Sequence, residues 1–184
     1  AKKLIGAIGL STHMVAGVRA GSAHPEIDVI HPLYNYKGWG IVDGGEEEMR
    51  EAIGLALQMG KGIYLMKALA GGHLAGEAEE AIKKVLPIPG ITSVAVGMQS
   101  RAEVDFNIHL FRGETPPSAL QAKVQGYQRQ LHIEPWCRGC GACVKRCPFT
   151  ALTMQEGRPV VDHQTCMTCG YCSEVCDVVA IKVY

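Results

Sequence analysis

The chain has 184 residues, and its 18 basic and 18 acidic side chains give a formal net charge of zero. A neutral chain has no surplus of positive charge for phosphate groups, which argues against nucleic-acid binding. Hydrophobic residues make up 47% of the sequence, enough to bury a core, so global disorder is excluded. No apolar run approaches the roughly 20 residues of a membrane-spanning helix, and the first residues lack the apolar core of a secretory signal. We therefore expect a cytoplasmic protein of one domain or two small ones.

Residues 1–115 alternate between short β-rich runs and amphipathic helical runs. The predicted strands are 4–10, 27–31, 62–67 and 91–97, and the predicted helices are 46–60, 76–86 and 101–112. This alternation predicts an α/β fold with a parallel sheet covered by helices. A (β/α)8 barrel needs about 250 residues, so the region is either a small open sheet or half a barrel whose other half lies elsewhere.

Four segments of this region are similar, in order, to the last four strands of the aldo/keto reductase barrel. They are IGLSTH at 8–13, EIDVIHPLYN at 26–35, GIYLMKALAGG at 62–72 and ITSVAVGMQSRAEVDFNI at 91–108. The resemblance implies that 1–115 is a partial (β/α)8 barrel holding strands five to eight. The family's catalytic Asp, Tyr, Lys and His come from strands one to four, which have no counterpart here. The resemblance therefore assigns no catalytic residue and leaves enzyme activity open.

The same resemblance implies an NADP(H) site at the carboxyl ends of these strands. Ser11 and Thr12 would lie beside the nicotinamide. Lys67, Gly71 and Gly72 would belong to a turn that receives phosphate. Gly97, Ser100 and Asn107 would lie along the adenosine side. Glycines in the phosphate turn would allow close approach of the backbone, and the lysine would supply charge. A plain surface loop is the alternative interpretation of that turn.

The region at 116–131 is predicted to be a linker helix. Pro116 and Pro117 break the preceding helix, and Ser118 is placed to cap a helix that runs to Leu131. All eight cysteines follow this linker, whereas residues 1–136 contain none. This change in composition predicts a separate C-terminal domain at 132–184.

The cysteines form two runs of C-x2-C-x2-C-x3-C, and each cysteine of the first run recurs 29 positions later. In iron–sulfur proteins with this motif, the fourth cysteine of each run ligates the other cluster. The motif predicts two 4Fe–4S clusters with the following ligands. The first site is Cys137, Cys140, Cys143 and Cys176. The second site is Cys147, Cys166, Cys169 and Cys172.

Disulfides and zinc are the competing interpretations of the cysteines. Disulfides would need an oxidising compartment, and the sequence shows no secretory signal. In the cytosol, thiols stay reduced. Structural zinc usually takes separated pairs of cysteines, which three closely spaced cysteines and a remote one fit poorly.

The residues beside the cysteines differ between the two runs. Pro148 follows Cys147, as the motif expects, but Asp177 follows Cys176. We expect this departure to loosen the turn and to place a carboxylate near the first site. The nearby cations are Arg138, Lys145 and Arg146. They either raise a potential, dock an acidic partner, or form a solvated helix face.

Residues 131–184 resemble a bacterial-type two-cluster ferredoxin, an α+β fold. Together with the barrel-like segments, this resemblance implies an iron–sulfur oxidoreductase, or a fragment or subunit of one, that passes electrons to or from the barrel. The alternative is a non-enzymatic electron-transfer subunit whose barrel half is a docking scaffold. The expected partner is a redox protein or the remaining half of the barrel.

Overall fold

The chain forms two compact units, at residues 1–127 and 128–184, called here the N-terminal and C-terminal units. The computed structural model describes residues 4–91, 93–124 and 129–184. The N-terminal unit contains β1 (Gly9–Thr12), α1 (Val15–Ala23), β2 (Val29–Pro32), α2 (Glu46–Gln58), β3 (Gly62–Met66), α3 (Ala78–Val85), β4 (Ser93–Ala95), α4 (Arg101–Phe111) and α5 (Ser118–Val124). The C-terminal unit contains β5 (Leu131–Ile133), α6 (Ala142–Arg146), β6 (Leu152–Gln155), β7 (Arg158–Val161), α7 (Tyr171–Glu174) and β8 (Ile181–Val183).

The N-terminal unit is built on a parallel sheet in the order β1-β2-β3-β4. The sheet contributes side chains to the hydrophobic core. Ile30 of β2 pairs with Ile63 of β3, and both side chains are fully buried. Met49 and Ile53 of α2 belong to the same core cluster, because apolar residues three or four apart share one face of a helix. This α/β architecture is compatible with part of a barrel.

Hydrogen bonds to carboxylates fix the starts of α1 and α2. In α2, the Glu48 carboxylate accepts a hydrogen bond from the Gly45 N–H at 2.7 Å, the half of a capping box that a glycine N-cap allows. For α1, the cap comes from a distant loop. The Asp43 carboxylate accepts from Val15 N at 2.6 Å and from Ala16 N at 3.0 Å, so the helix start is fixed to the segment that precedes α2.

Several predicted boundaries differ from the structure. The first strand is Gly9–Thr12 and not 4–10, because pairing with β2 begins only at Gly9 and Leu4 is 83% exposed. The helix α1 was not singled out from the sequence. The predicted strand 91–97 is reduced to Ser93–Ala95, and its residue 92 lies outside the described residues.

The predicted linker helix is also corrected. The helix α5 covers Ser118–Val124, residues 125–128 lie outside the described residues, and Leu131 begins a strand. Leu131 is 2% exposed and pairs with Val183, so sheet pairing and burial outweigh its helical propensity. Leu120 and Val124 pack against the core of the N-terminal unit, so α5 is part of that unit.

The C-terminal unit consists of two antiparallel ribbons, β5-β8 and β6-β7, and two short helices. Each cysteine run is followed by a strand, and the backbone repeats with the 29-residue offset. Gly141 and Gly170 have φ values of 72° and 90°, and Thr150 and Val179 have φ values of 54° and 52°. The repeat in the sequence is therefore also a repeat in conformation. Among the described residues, no helix is long and apolar enough to cross a membrane.

Candidate metal centres

The four cysteines of the first site surround one cavity of the C-terminal unit. Three of the cysteines come from the first run, and Cys176 comes from the second. The cavity is lined by Cys137, Arg138, Cys140, Gly141, Cys143, Pro159, Val175, Cys176, Asp177, Val178 and Ile181. The fold thus brings together the four residues that the motif predicts for this site.

Backbone amides of the first site point at two of its sulfur atoms. Gly139 N donates to Cys137 Sγ at 3.5 Å, and Ala180 N donates to Cys176 Sγ at 3.2 Å. Hydrogen bonds to sulfur favour the thiolate form and are among the features that set a cluster's potential. Both contacts are therefore suited to thiolate ligands.

The cysteines of the second site are also neighbours. Burial, followed by the charges of Cys169, Cys166 and Cys147, raises the pKa of the Cys172 thiol to about 12. The three cysteines whose charges act on Cys172 are the other three ligands that the motif predicts for the second site. Within the described ranges, no three His, Cys, Asp or Glu side chains are grouped as the ligands of a single metal ion would be.

The thiols fit a group that supplies its own positive charge. Burial is also the main cause that raises the pKa of Cys143, with the charges of Cys137 and Cys140 adding to it. A buried thiolate is costly alone, whereas a bound cation displaces the proton and stabilises the anion. Four sulfur donors around a cavity match the donor set of an iron–sulfur cluster.

The residue after Cys176 does not loosen its turn, contrary to the sequence expectation. Val179 N donates to Cys176 O at 3.1 Å, just as Thr150 N donates to Cys147 O at 3.4 Å. The Asp177 carboxylate does line the first cavity, where it forms an ion pair with Arg138. The turn therefore survives the loss of proline.

Two cations near the cysteines have partners inside the unit. Arg138 lies 3.2 Å from the Asp177 carboxylate. Arg146 lies 3.1 Å from the Glu174 carboxylate and 4.5 Å from the ring centre of Tyr171. These contacts connect the two cysteine runs, which the sequence pattern alone did not indicate.

In the N-terminal unit, the predicted cofactor residues lie at or after the carboxyl ends of the strands. Ser11 and Thr12 end β1, and Thr12 Oγ1 accepts from Met14 N at 3.0 Å. The turn after β3 has left-handed backbone at three of the predicted positions, with φ values of 60°, 70° and 110° at Lys67, Gly71 and Gly72. Gly97 follows β4.

Two other predicted cofactor residues have local roles. Ser100 Oγ caps α4 by accepting from Glu103 N at 3.2 Å. Asn107 Nδ2 donates to Glu103 O at 2.8 Å within the same helix. Sequence reasoning missed Asn35, which is fully buried and whose side chain bonds the backbone of Trp39. An asparagine in the loop after a predicted strand, followed by glycines at 38 and 40, was the available signal.

A family model for the 4Fe–4S dicluster domain matches residues 131–177. The chain is 35% identical over 53 residues to an uncharacterized ferredoxin of Methanocaldococcus jannaschii, a match that covers 28% of this chain and 35% of the relative. It is 44% identical over 41 residues to one subunit of the Na⁺-translocating ferredoxin:NAD⁺ oxidoreductase complex of Acetobacterium woodii, covering 22% and 12%. It is 36% identical over 62 residues to a ferredoxin of Pyrobaculum islandicum, covering 33% and 58%.

The chain therefore spans less than two thirds of the length of each of these relatives. The similarity establishes a 4Fe–4S dicluster ferredoxin domain at residues 131–177. The predicted likeness of 1–115 to an aldo/keto reductase barrel stays a prediction.

Proposed function

We propose that the C-terminal unit holds two 4Fe–4S clusters and passes single electrons between a redox partner and the rest of the protein. The observation that carries this proposal is the cavity of the first site, which thiols from both cysteine runs line together. Such clusters, when bound, supply one-electron chemistry over a wide range of potentials.

The protein's own residues hold and shield the sulfur ligands in this proposal. Each site takes three thiolates from one run and the fourth from the other, as the motif requires. Val175, Val178 and Ile181 form apolar walls of the first cavity and limit access of water. The amides of Gly139 and Ala180 stabilise thiolate charge at the same site.

Metal analysis of anaerobically reconstituted protein tests the proposal. We expect about eight irons and about eight inorganic sulfides per chain, a broad visible absorbance that bleaches on reduction, and an EPR signal in the reduced protein. Cys140→Ser removes a first-site ligand and should reduce the iron content, whereas Ser173→Ala, a matched change outside both ligand sets, should retain it. Stoichiometric zinc, or iron content that is equal in the Cys140→Ser and wild-type proteins, would contradict the proposal.

For the N-terminal unit, we propose a nucleotide or organic substrate site at the carboxyl edge of the sheet, with NADP(H) as the first candidate. The support is the left-handed, glycine-rich turn that follows β3 and carries Lys67. Titration of the iron-loaded protein with NADPH, followed by cluster bleaching, tests this part. Lys67→Met should weaken binding, and a wild-type protein that neither binds NADPH nor accepts its electrons would contradict it.

A second candidate is an electron-transfer component of a larger redox complex. It is favoured by the similarity of the C-terminal unit, over 41 residues, to a subunit of the Na⁺-translocating complex. Clusters that exchange electrons with an artificial acceptor in a protein that binds no nucleotide would favour this candidate over the first.

A further inference from the structure

The two cysteine sites differ in how they hold the turn that delivers their fourth sulfur. The Cys147 turn (147–150) serves the second site, and the Cys176 turn (176–179) serves the first. Both close with a hydrogen bond from the fourth residue to the cysteine carbonyl, at 3.4 Å and 3.1 Å. Both end in a β-branched residue with left-handed backbone, Thr150 at φ 54° and Val179 at φ 52°. The conformation is thus the same although the sequences differ.

Proline explains the stability of the Cys147 turn. Pro148 occupies the second position of the turn, where its ring fixes φ near the value that the turn needs. Asp177 occupies that position in the Cys176 turn and brings no such restriction. A left-handed β-branched residue is uncommon and costs free energy, so Val179 requires another source of support.

That support comes from the two residues that flank Cys137. Arg138 Nη1 lies 3.2 Å from Asp177 Oδ2, and Trp136 Nε1 donates to Val178 O at 3.2 Å. Both side chains therefore reach from the first ligand of the first site to the turn that carries its fourth ligand.

The corresponding residues of the second run do not repeat this chemistry. The 29-residue offset places Thr165 at the position of Trp136 and Met167 at that of Arg138. Thr165 Oγ1 donates to Asp162 Oδ2 at 2.6 Å, within its own loop, and Met167 carries no charge. The Cys147 turn has proline at its second position, and the Cys176 turn has an ion pair there instead.

We propose that Trp136 and Arg138 form a latch on the Cys176 turn, which replaces the missing proline and keeps Cys176 at the first site. The inference rests on the proposed function, because it concerns retention of the cluster at that site. The latch residues are positioning residues: Trp136, Arg138 and Asp177 hold the turn that places the Cys176 sulfur, and none of them is itself a ligand.

The expected size of the effect is modest for a single contact. The Arg138 and Asp177 side chains are each 68% exposed, and exposed ion pairs contribute little, so Arg138→Met should accelerate iron release from one site by roughly two- to five-fold. Salt screens an exposed pair, so high ionic strength should accelerate the same phase in the wild-type protein. The Trp136→Phe/Arg138→Met double variant should release iron faster than either single variant.

Chelator-induced iron release from the reconstituted full chain tests the latch. Arg138→Met should accelerate one kinetic phase only, and Arg138→Lys, which keeps the cation, should stay close to wild type. The decisive variant is Arg138→Met/Asp177→Pro, which gives the Cys176 turn the residue found in the Cys147 turn and should restore slow release. Lys84→Met is the control, because it breaks an exposed ion pair with Glu80 at 2.8 Å within α3 of the N-terminal unit.

The outcomes separate the latch from the proposed function. Wild-type protein that holds no iron would refute the proposed function. Wild-type protein with about eight irons but an Arg138→Met variant with unchanged release would refute the latch alone. The latch is also refuted if Lys84→Met accelerates release equally, or if the added proline fails to slow release.

Discussion

Replacing Gly139 with alanine should destabilise the C-terminal unit more than the same change at two of its other left-handed glycines, Gly141 and Gly157. An added Cβ at Gly139 would lie 2.0 Å from the carbonyl oxygen of Gly157. Gly141 and Gly157 have similar backbone, with φ values of 72° and 76° against 67° at Gly139. An added Cβ at Gly141 would meet only Met154 Sδ at 3.8 Å, and one at Gly157 would meet open space. The three positions therefore share a conformational cost and differ in the steric one.

The magnitude follows from these two terms. A left-handed alanine costs about 1–2 kcal/mol at each of the three glycines. Overpacking adds about 1–3 kcal/mol at Gly139 alone, because a backbone carbonyl must move. Gly139→Ala should therefore cost roughly 2–5 kcal/mol in total, against about 1–2 kcal/mol for each control variant.

The assay is the rate at which iron-loaded protein loses its visible absorbance in a fixed concentration of guanidinium. A rate is appropriate because loss of a bound metal group makes unfolding irreversible. We expect Gly139→Ala to lose absorbance about tenfold faster than Gly141→Ala or Gly157→Ala, since about 1.4 kcal/mol corresponds to a factor of ten. Equal rates for all three variants would refute the steric argument.

Two further predictions concern the N-terminal unit. Asn35→Ala removes a fully buried amide side chain and leaves part-buried backbone groups of Trp39 without their partner, so it should cost roughly 2–4 kcal/mol in the free energy of unfolding. Asn107→Ala, which removes one bond within α4, should cost less than about 1 kcal/mol, and equal losses in denaturant titrations would contradict this account. Hydrogen bonds from Lys37 and then Tyr36 hold the pKa of Glu77 below its usual range. The stabilisation is therefore present above the usual glutamate pKa and is lost as pH falls through the lowered value. Lys37→Met should raise the pKa of Glu77 in an NMR titration, and an unmoved titration would show that the ion pair at 2.8 Å is not the cause.

The sequence alone predicts the features that depend on local pattern. The C-x2-C-x2-C-x3-C spacing within each cysteine run predicts the two sites, because the spacing of neighbouring ligands is fixed by the geometry of the bound group. Alternating apolar runs predict the parallel sheet, and the acidic first turn predicts the start of α2 at Glu46. These signals are contained within a few consecutive residues.

Other features depend on residues far apart in the chain. The strand β1 begins at Gly9 because its partner β2 begins there, and no local signal specifies that pairing. The side chains of Ser100 and Asn107 satisfy groups of α4, a role that a comparison of motifs does not reveal. The contact between Arg138 and Asp177 joins residues 39 positions apart, so its role emerges only in the folded unit.

Paired serine variants test the exchange of sulfur ligands between the two runs most directly. If Cys176 belongs with Cys137, the Cys137→Ser/Cys176→Ser variant damages one site and keeps about four irons per chain with one intact EPR signal. The Cys166→Ser/Cys176→Ser variant then damages both sites and loses both signals. The opposite pattern, with the second variant keeping one intact cluster and the first keeping none, would contradict the account.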